Sequence, residues 1–66
     1  MLNDLNVFLD NKLKQCEGIY DRYQLQLIKS EAFGACNFLL TVTKDNSVVE
    51  LWEEYRPKFD DFMEGF

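Results

Sequence analysis

The 66-residue chain contains no histidine. Histidine is the commonest general acid or base and a frequent metal ligand near neutral pH, so its absence argues against an enzyme or a metal centre. Carboxylates are plentiful, but none lies beside a glycine-rich calcium loop or in a Glu-x-x-His motif. The sequence therefore predicts no catalytic residue, no metal site and no cofactor.

Cysteine is also scarce, since the chain has only Cys16 and Cys36 and no CxxC pair. Two thiols do not make a disulfide framework, and without histidine they do not make a zinc site. Neither thiol has a neighbouring base or positive cluster that would activate it as a nucleophile. We expect both cysteines to be reduced and to pack as small apolar side chains.

Long apolar runs are missing. The N-terminus reads MLNDLNVFLDNK, where acids and asparagines interrupt the apolar residues. No stretch approaches the roughly 18 apolar residues of a membrane span, and a secretory signal would need a basic region before an unbroken apolar one. We therefore expect a cytoplasmic protein with no membrane partner.

Positive charge is sparse and negative charge is concentrated in one region. The chain has seven Lys and Arg against twelve Asp and Glu, a formal charge of −5. Residues 1–44 carry five of each sign, whereas residues 45–66 carry two basic and seven acidic residues. The basic residues form no stripe that would follow a phosphate backbone, so the sequence predicts no direct binding to nucleic acid.

The N-terminal part of the chain has a regular apolar pattern. Large apolar residues and one cysteine recur every three or four positions, which is typical of one face of a helix. They are Leu2, Leu5, Leu9, Leu13, Cys16, Tyr20, Tyr23 and Leu27. On a helical wheel they cover only about 80°, close to the narrow seam of a coiled coil.

Gly18 leaves two interpretations of this segment open. A glycine in the left-handed conformation would end a first helix and allow a second to begin. The apolar spacing nevertheless continues from Cys16 to Tyr20, and an interior glycine costs only about 1 kcal/mol relative to alanine. We favour one continuous helix and keep the break at Gly18 as the alternative.

Residues 32–43 read AFGACNFLLTVT and are apolar on nearly every side. As a helix, such a segment is expected to be buried, and its small residues would let another backbone approach closely. Alternatively, the β-branched residues of NFLLTVT would favour a strand. Both interpretations stay open at this point.

The C-terminal segment predicts an amphipathic helix from residue 48 to about 64, after a turn at residues 44–46. Ser47 and Glu50 have the spacing of a capping box, although a hairpin through KDN is an alternative. One arc of about 120° is apolar and contains Val48, Leu51, Trp52, Tyr55, Phe59, Phe62, Met63 and Phe66. The opposite arc holds six acids and Pro57, where a proline would bend the helix toward its apolar side. Two abutting short helices, with Pro57 near the start of the second, are the alternative.

Together these patterns predict an all-α protein of one domain, residues 1–66. It would be a small helical bundle of a long N-terminal helical region and an antiparallel, Pro57-bent acidic helix. A continuous helix of some 40 residues would span about 60 Å, too long for the last helix to cover. We therefore expect homodimerisation to complete the bundle, whereas a break at Gly18 would permit a monomeric three-helix bundle.

The functional expectation is a non-enzymatic, self-associating protein that acts by binding another protein, as accessory, regulatory or phage-type inhibitor proteins do. Candidate core or dimer-interface residues are Leu9, Leu13, Cys16, Tyr20, Tyr23, Leu27, Trp52, Tyr55, Phe59 and Phe62. One alternative is a nucleic-acid mimic whose acidic helix occupies a basic groove, and another is a subunit that folds only with its partner. The candidate acidic face consists of Glu50, Glu53, Glu54, Asp60, Asp61 and Glu64.

Overall fold

The N-terminal helical region is interrupted at Gly18. In a computed structural model, which describes residues 2–64, helix α1 (Leu2–Cys16) ends just before Gly18, whose φ is +79°. Glycine adopts this left-handed conformation without the steric cost that other residues pay. The favoured continuous N-terminal helix is therefore wrong, and the alternative with a break at Gly18 is correct.

Helix α2 (Arg22–Thr43) begins at its own cap. The Asp21 carboxylate accepts a hydrogen bond from the backbone N–H of Tyr23 at 2.9 Å, which satisfies one of the free donors of the first turn. The helix ends after Thr43. Its C-cap residue is Lys44, which has a φ of +54° and donates its N–H to the carbonyl of Leu40. Residues 37–43 are thus helical, and the strand interpretation does not hold.

Helix α3 (Ser47–Met63) begins within one residue of its predicted start and continues through Pro57. The predicted capping box does not form, because the Asp45 carboxylate accepts the N–H of Ser47 at 2.9 Å instead. Pro57 lies on the exposed side, as predicted. The proline bend stays a prediction, and Phe66 lies outside the described residues.

The three helices pack against one another around one core. Its fully buried side chains include Leu9 of α1, Leu25 of α2 and Phe59 of α3, with both cysteines among the buried residues. The described residues contain no strand, so the all-α prediction is confirmed.

The bundle closes without a second chain. Its accessible surface of 4513 Å² is close to the roughly 4,400 Å² expected of a compact monomer of this mass. The argument that a dimer must cover the α1 face therefore no longer applies, because α2 and α3 already cover Leu5 and Leu9. Any case for self-association has to come from the surface of the bundle.

The glycines at positions 18 and 34 have opposite expected effects on stability. Gly18→Ala places a side chain at positive φ and should lower the free energy of unfolding by about 1 kcal/mol. Gly34→Ala meets nothing within 4 Å in mid-helix and should raise it by about 0.5–1 kcal/mol. Urea denaturation of both variants, at low protein concentration to keep the chains monomeric, measures the difference. Equal effects of the same sign would contradict this assignment of the break.

Candidate interaction surface

The side of α2 that faces away from the other helices is apolar. Its exposed apolar side chains include Tyr23, Leu27, Phe38 and Val42, with exposed fractions of 71%, 47%, 66% and 63%. On a helical wheel they share an arc of about 120° with Ser30, Gly34 and Thr41. We call these seven residues the α2 outer face.

None of the seven named residues is charged, but Glu31 falls within the same arc and its side chain is 60% exposed. Between Arg22 and Lys44 the only charged residues are Lys29 and Glu31. Glu31 pairs with Lys12 of α1 at 3.1 Å, and Lys29 pairs with Asp60 of α3 at 2.6 Å. Lys29 thus lies at the α3 flank, whereas Glu31 pairs with α1 from within the arc of the outer face.

Gly34 lies near the middle of this face. A Cβ built on it would have nothing within 4 Å, so the chain's own packing does not require glycine there. Glycine inside a helix costs about 1 kcal/mol relative to alanine. The position is open to a close approach from outside the molecule.

Aromatic residues border the face on the side of α3. The rings of Phe33 and Trp52 lie 5.5 Å apart and are tilted by 59°, and Trp52 also contacts the ring of Phe59. Phe33 remains 51% exposed despite this contact. Beside it, a shallow cavity of about 260 Å³ lies between α2 and α3, with Cys36 among its lining residues.

The predicted core or interface residues divide into two groups. Leu9, Cys16, Trp52, Tyr55 and Phe59 are buried, and Leu13 and Phe62 pack against them while partly exposed. Tyr20, Tyr23 and Leu27 are exposed, because the chain leaves the helix at residues 17–21 and α2 starts in a new orientation. Their assignment to the core does not hold, and their assignment to an interface stays a prediction.

The apolar segment at residues 32–43 was expected to be buried all round, and this is wrong. Ala32 and Cys36 are buried, but Phe33, Phe38 and Val42 are exposed. The spacing did not indicate this exposure, since the exposed pair Phe38 and Val42 and the buried pair Ala32 and Cys36 are both four residues apart.

The acidic residues of α3 lie on its outer side, where Asp60 is half-buried and the other five are exposed. Arg56 contacts the carboxylates of both Glu53 and Asp60 at 3.4 Å, and Lys29 contacts Asp60 as well. These ion pairs reduce the charge that the face presents at its α2 flank. Mimicry of nucleic acid by this face stays a prediction, and two of its six acids are already partnered.

The buried cysteine thiols and the Tyr55 hydroxyl lie in the packed interior of the bundle. Burial raises the pKa of both the Cys16 and the Cys36 thiol, which disfavours the reactive thiolate. The Tyr55 hydroxyl donates to the Asp10 carboxylate at 2.6 Å and also contacts the side chain of Asn6, joining α3 to α1. Burial, with the Asp10 hydrogen bond and the charges of Asp10 and Glu54, raises the pKa of Tyr55 to about 12.

Within residues 2–64, no cluster of three or more histidine, cysteine, aspartate or glutamate side chains has an arrangement that could hold a metal ion. None of the described helices is long and apolar enough to cross a membrane. No protein-family model matches the chain, and no significant match is found among curated proteins or solved structures.

The Tyr55 hydrogen bond predicts an alkaline limit to stability. The fold favours the neutral phenol, whose pKa rises from 10.0 to about 12. This stabilisation is therefore complete below about pH 10 and is lost as the pH rises through about 12. Tyr55→Phe cannot ionise and lacks this loss.

Urea denaturation at a series of pH values from about 9 to 12 tests this expectation. The free energy of unfolding should fall more steeply for the wild type than for Tyr55→Phe, because all other ionising groups are common to both proteins. If the free energy of unfolding falls equally with pH in the two proteins, ionisation of Tyr55 does not cause the loss of stability at high pH.

Proposed function

We propose that this protein is a non-enzymatic protein that self-associates and acts through contacts with other proteins, and that the α2 outer face makes those contacts. The observation that carries the proposal is the group of exposed apolar side chains along a helix of 22 residues, where Glu31 is the one charged residue within the arc. Such a helix is about 33 Å long, close to the 35 Å long axis of the molecule.

The size and composition of the surface support this role. Isolated exposed apolar residues are common on soluble proteins, but a contiguous apolar patch marks an interaction site more often. Tyr and Phe are also the residue types that dominate protein interfaces. On the α2 outer face, Tyr23 and Val42 lie at the two ends, with Leu27 and Phe38 between them.

The state of the reactive groups supports a non-enzymatic role. Both thiols are buried with raised pKa values, and the buried tyrosine hydroxyl is engaged with Asp10 and Asn6. A nucleophile or general base needs an accessible side chain with a pKa near the working pH. Cys16, Cys36 and Tyr55 do not meet that requirement.

The proposal predicts a dimer that single charges disrupt. At tens of micromolar the wild type should sediment as a dimer. Leu27→Glu and Phe38→Glu should each raise the dimer dissociation constant at least tenfold, about 1.4 kcal/mol, because they place an unpaired carboxylate in an apolar contact. Both residues are exposed in the single chain, so helical content by circular dichroism should not change.

Val7→Glu is the matched control. Val7 is 57% exposed on α1, outside the α2 outer face, and the substitution adds the same negative charge. Its dimer dissociation constant should stay within about twofold of the wild type, since it changes only the long-range repulsion. A wild type that sediments as a strict monomer at tens of micromolar would reject the self-association proposal.

A further inference from the structure

We propose that the cavity between α2 and α3 is a binding site for a small uncharged molecule that contains one or two aromatic rings. The site lies within the single chain, so the inference is independent of the proposed self-association. The lining, the volume and the charge of the cavity each support it.

The lining of the cavity is mostly apolar. Cys36 and Val48 are each 3% exposed and Trp52 is 8% exposed, and these residues form its buried part. Phe33 and Val49 also line it and remain 51% and 39% exposed. A ligand in the cavity would remove apolar surface of these two residues from water, which drives binding in pockets of this kind.

The volume of the cavity matches an aromatic ring system. A closed apolar cavity of about 150 Å³ binds benzene. The cavity between α2 and α3 is open to solvent and has about 260 Å³, so it has room for a molecule of the size of indole. The rings of Phe33 and Trp52 are tilted by 59°, and a third ring can contact either one in the offset or edge-to-face arrangement that aromatic groups prefer.

The charge at the cavity favours an uncharged ligand. Among the described residues that line it, Glu53 is the one charged residue, and its side chain is 60% exposed. Arg56 lies 3.4 Å from the Glu53 carboxylate. The carboxylate would repel an anion, while a cation would compete with Arg56 and gain little from so exposed a pair. An uncharged ring meets neither cost.

A larger cavity differs in character. It has about 540 Å³, lies between α1 and α3, and is lined largely by charged residues, among them Lys14, Lys58 and Asp61. An apolar ring placed there would displace water from charged groups without replacing the lost hydrogen bonds. An uncharged aromatic molecule should therefore select the cavity between α2 and α3.

Titration of the full chain with indole, followed in amide NMR spectra, tests the site. The amide signals of Cys36 and Val49 and the side-chain N–H signal of Trp52, the only tryptophan, should shift. The dissociation constant should be about 1 mM or below, an affinity that a ligand of this size can reach. No shift up to about 10 mM indole, or shifts centred on Lys14 and Lys58, would overturn the proposal.

Phe33→Ala and Phe38→Ala form a matched pair. Both phenylalanines are exposed on α2, but of the two only Phe33 lines the cavity. Phe33→Ala should raise the indole dissociation constant about fivefold or more because it removes an aromatic wall, and Phe38→Ala should change it by less than about twofold. Circular dichroism should show the wild-type helical content for both variants, and equal effects on the dissociation constant would overturn the assignment of the site.

Three probes with the same ring system test the charge of the ligand. Indole is uncharged, tryptamine is a cation and indole-3-acetate is an anion at neutral pH. Indole should bind at least as tightly as the other two, because the exposed Glu53 and Arg56 pair offers little to either charge. Binding of a charged probe more than about tenfold tighter than indole would overturn the uncharged class of ligand.

The same titration with Leu27→Glu separates this site from the proposed self-association. Leu27 belongs to the α2 outer face and is not among the described residues that line the cavity, so the indole dissociation constant should change by less than about twofold. A loss of binding in Leu27→Glu would show that a second copy completes the site and would overturn the single-chain cavity. A strictly monomeric wild type that binds indole would reject the self-association and support the cavity as the site.

Discussion

The architecture depends on the left-handed backbone at Gly18. This conformation ends α1 at Cys16 and separates it from α2, so that the two helices lie side by side and do not form one rod. The turn also decides which side of α2 faces inward. Leu25 and Ile28 enter the core, whereas Tyr23 and Leu27, one or two positions away, remain at the surface. The α2 outer face is therefore a direct consequence of this turn.

The C-terminal half was predictable because its pattern is local. In residues 47–63 apolar and acidic side chains separate on a helical wheel, and Pro57 lies among the acids, so only a helix with Pro57 on its outer side satisfies both observations. Trp52, Tyr55 and Phe59 are buried accordingly. The start of the helix was less predictable, since the cap position is taken by Asn46, which makes no side-chain cap hydrogen bond, and Asp45 accepts the N–H of Ser47.

The N-terminal half was harder to predict because its spacing is ambiguous. Cys16 and Tyr20 are four residues apart, a helical interval, yet residues 17–21 are not helical in the structure. Periodicity records sequence distance and does not record the direction of the chain after a turn. For the same reason the segment at residues 32–43 did not indicate which apolar residues are exposed, since in a helix apolar on all sides only the positions of α1 and α3 determine the buried side.

The distribution of charge differs between the acidic side of α3 and the α2 outer face. Each helix of a three-helix bundle has an outward side, and those of α1 and α3 contain several charged residues while the α2 outer face has only Glu31 within its arc. Six of the seven acids in residues 45–66 belong to α3 or follow it directly, on the side away from its buried residues. Pairing through α2 would therefore leave these acids in water, where salt screens their mutual repulsion within about 10 Å. The acids of α3 and the apolar side chains of the α2 outer face lie on different helices, so the proposed pairing would bury the apolar side chains without burying the acids.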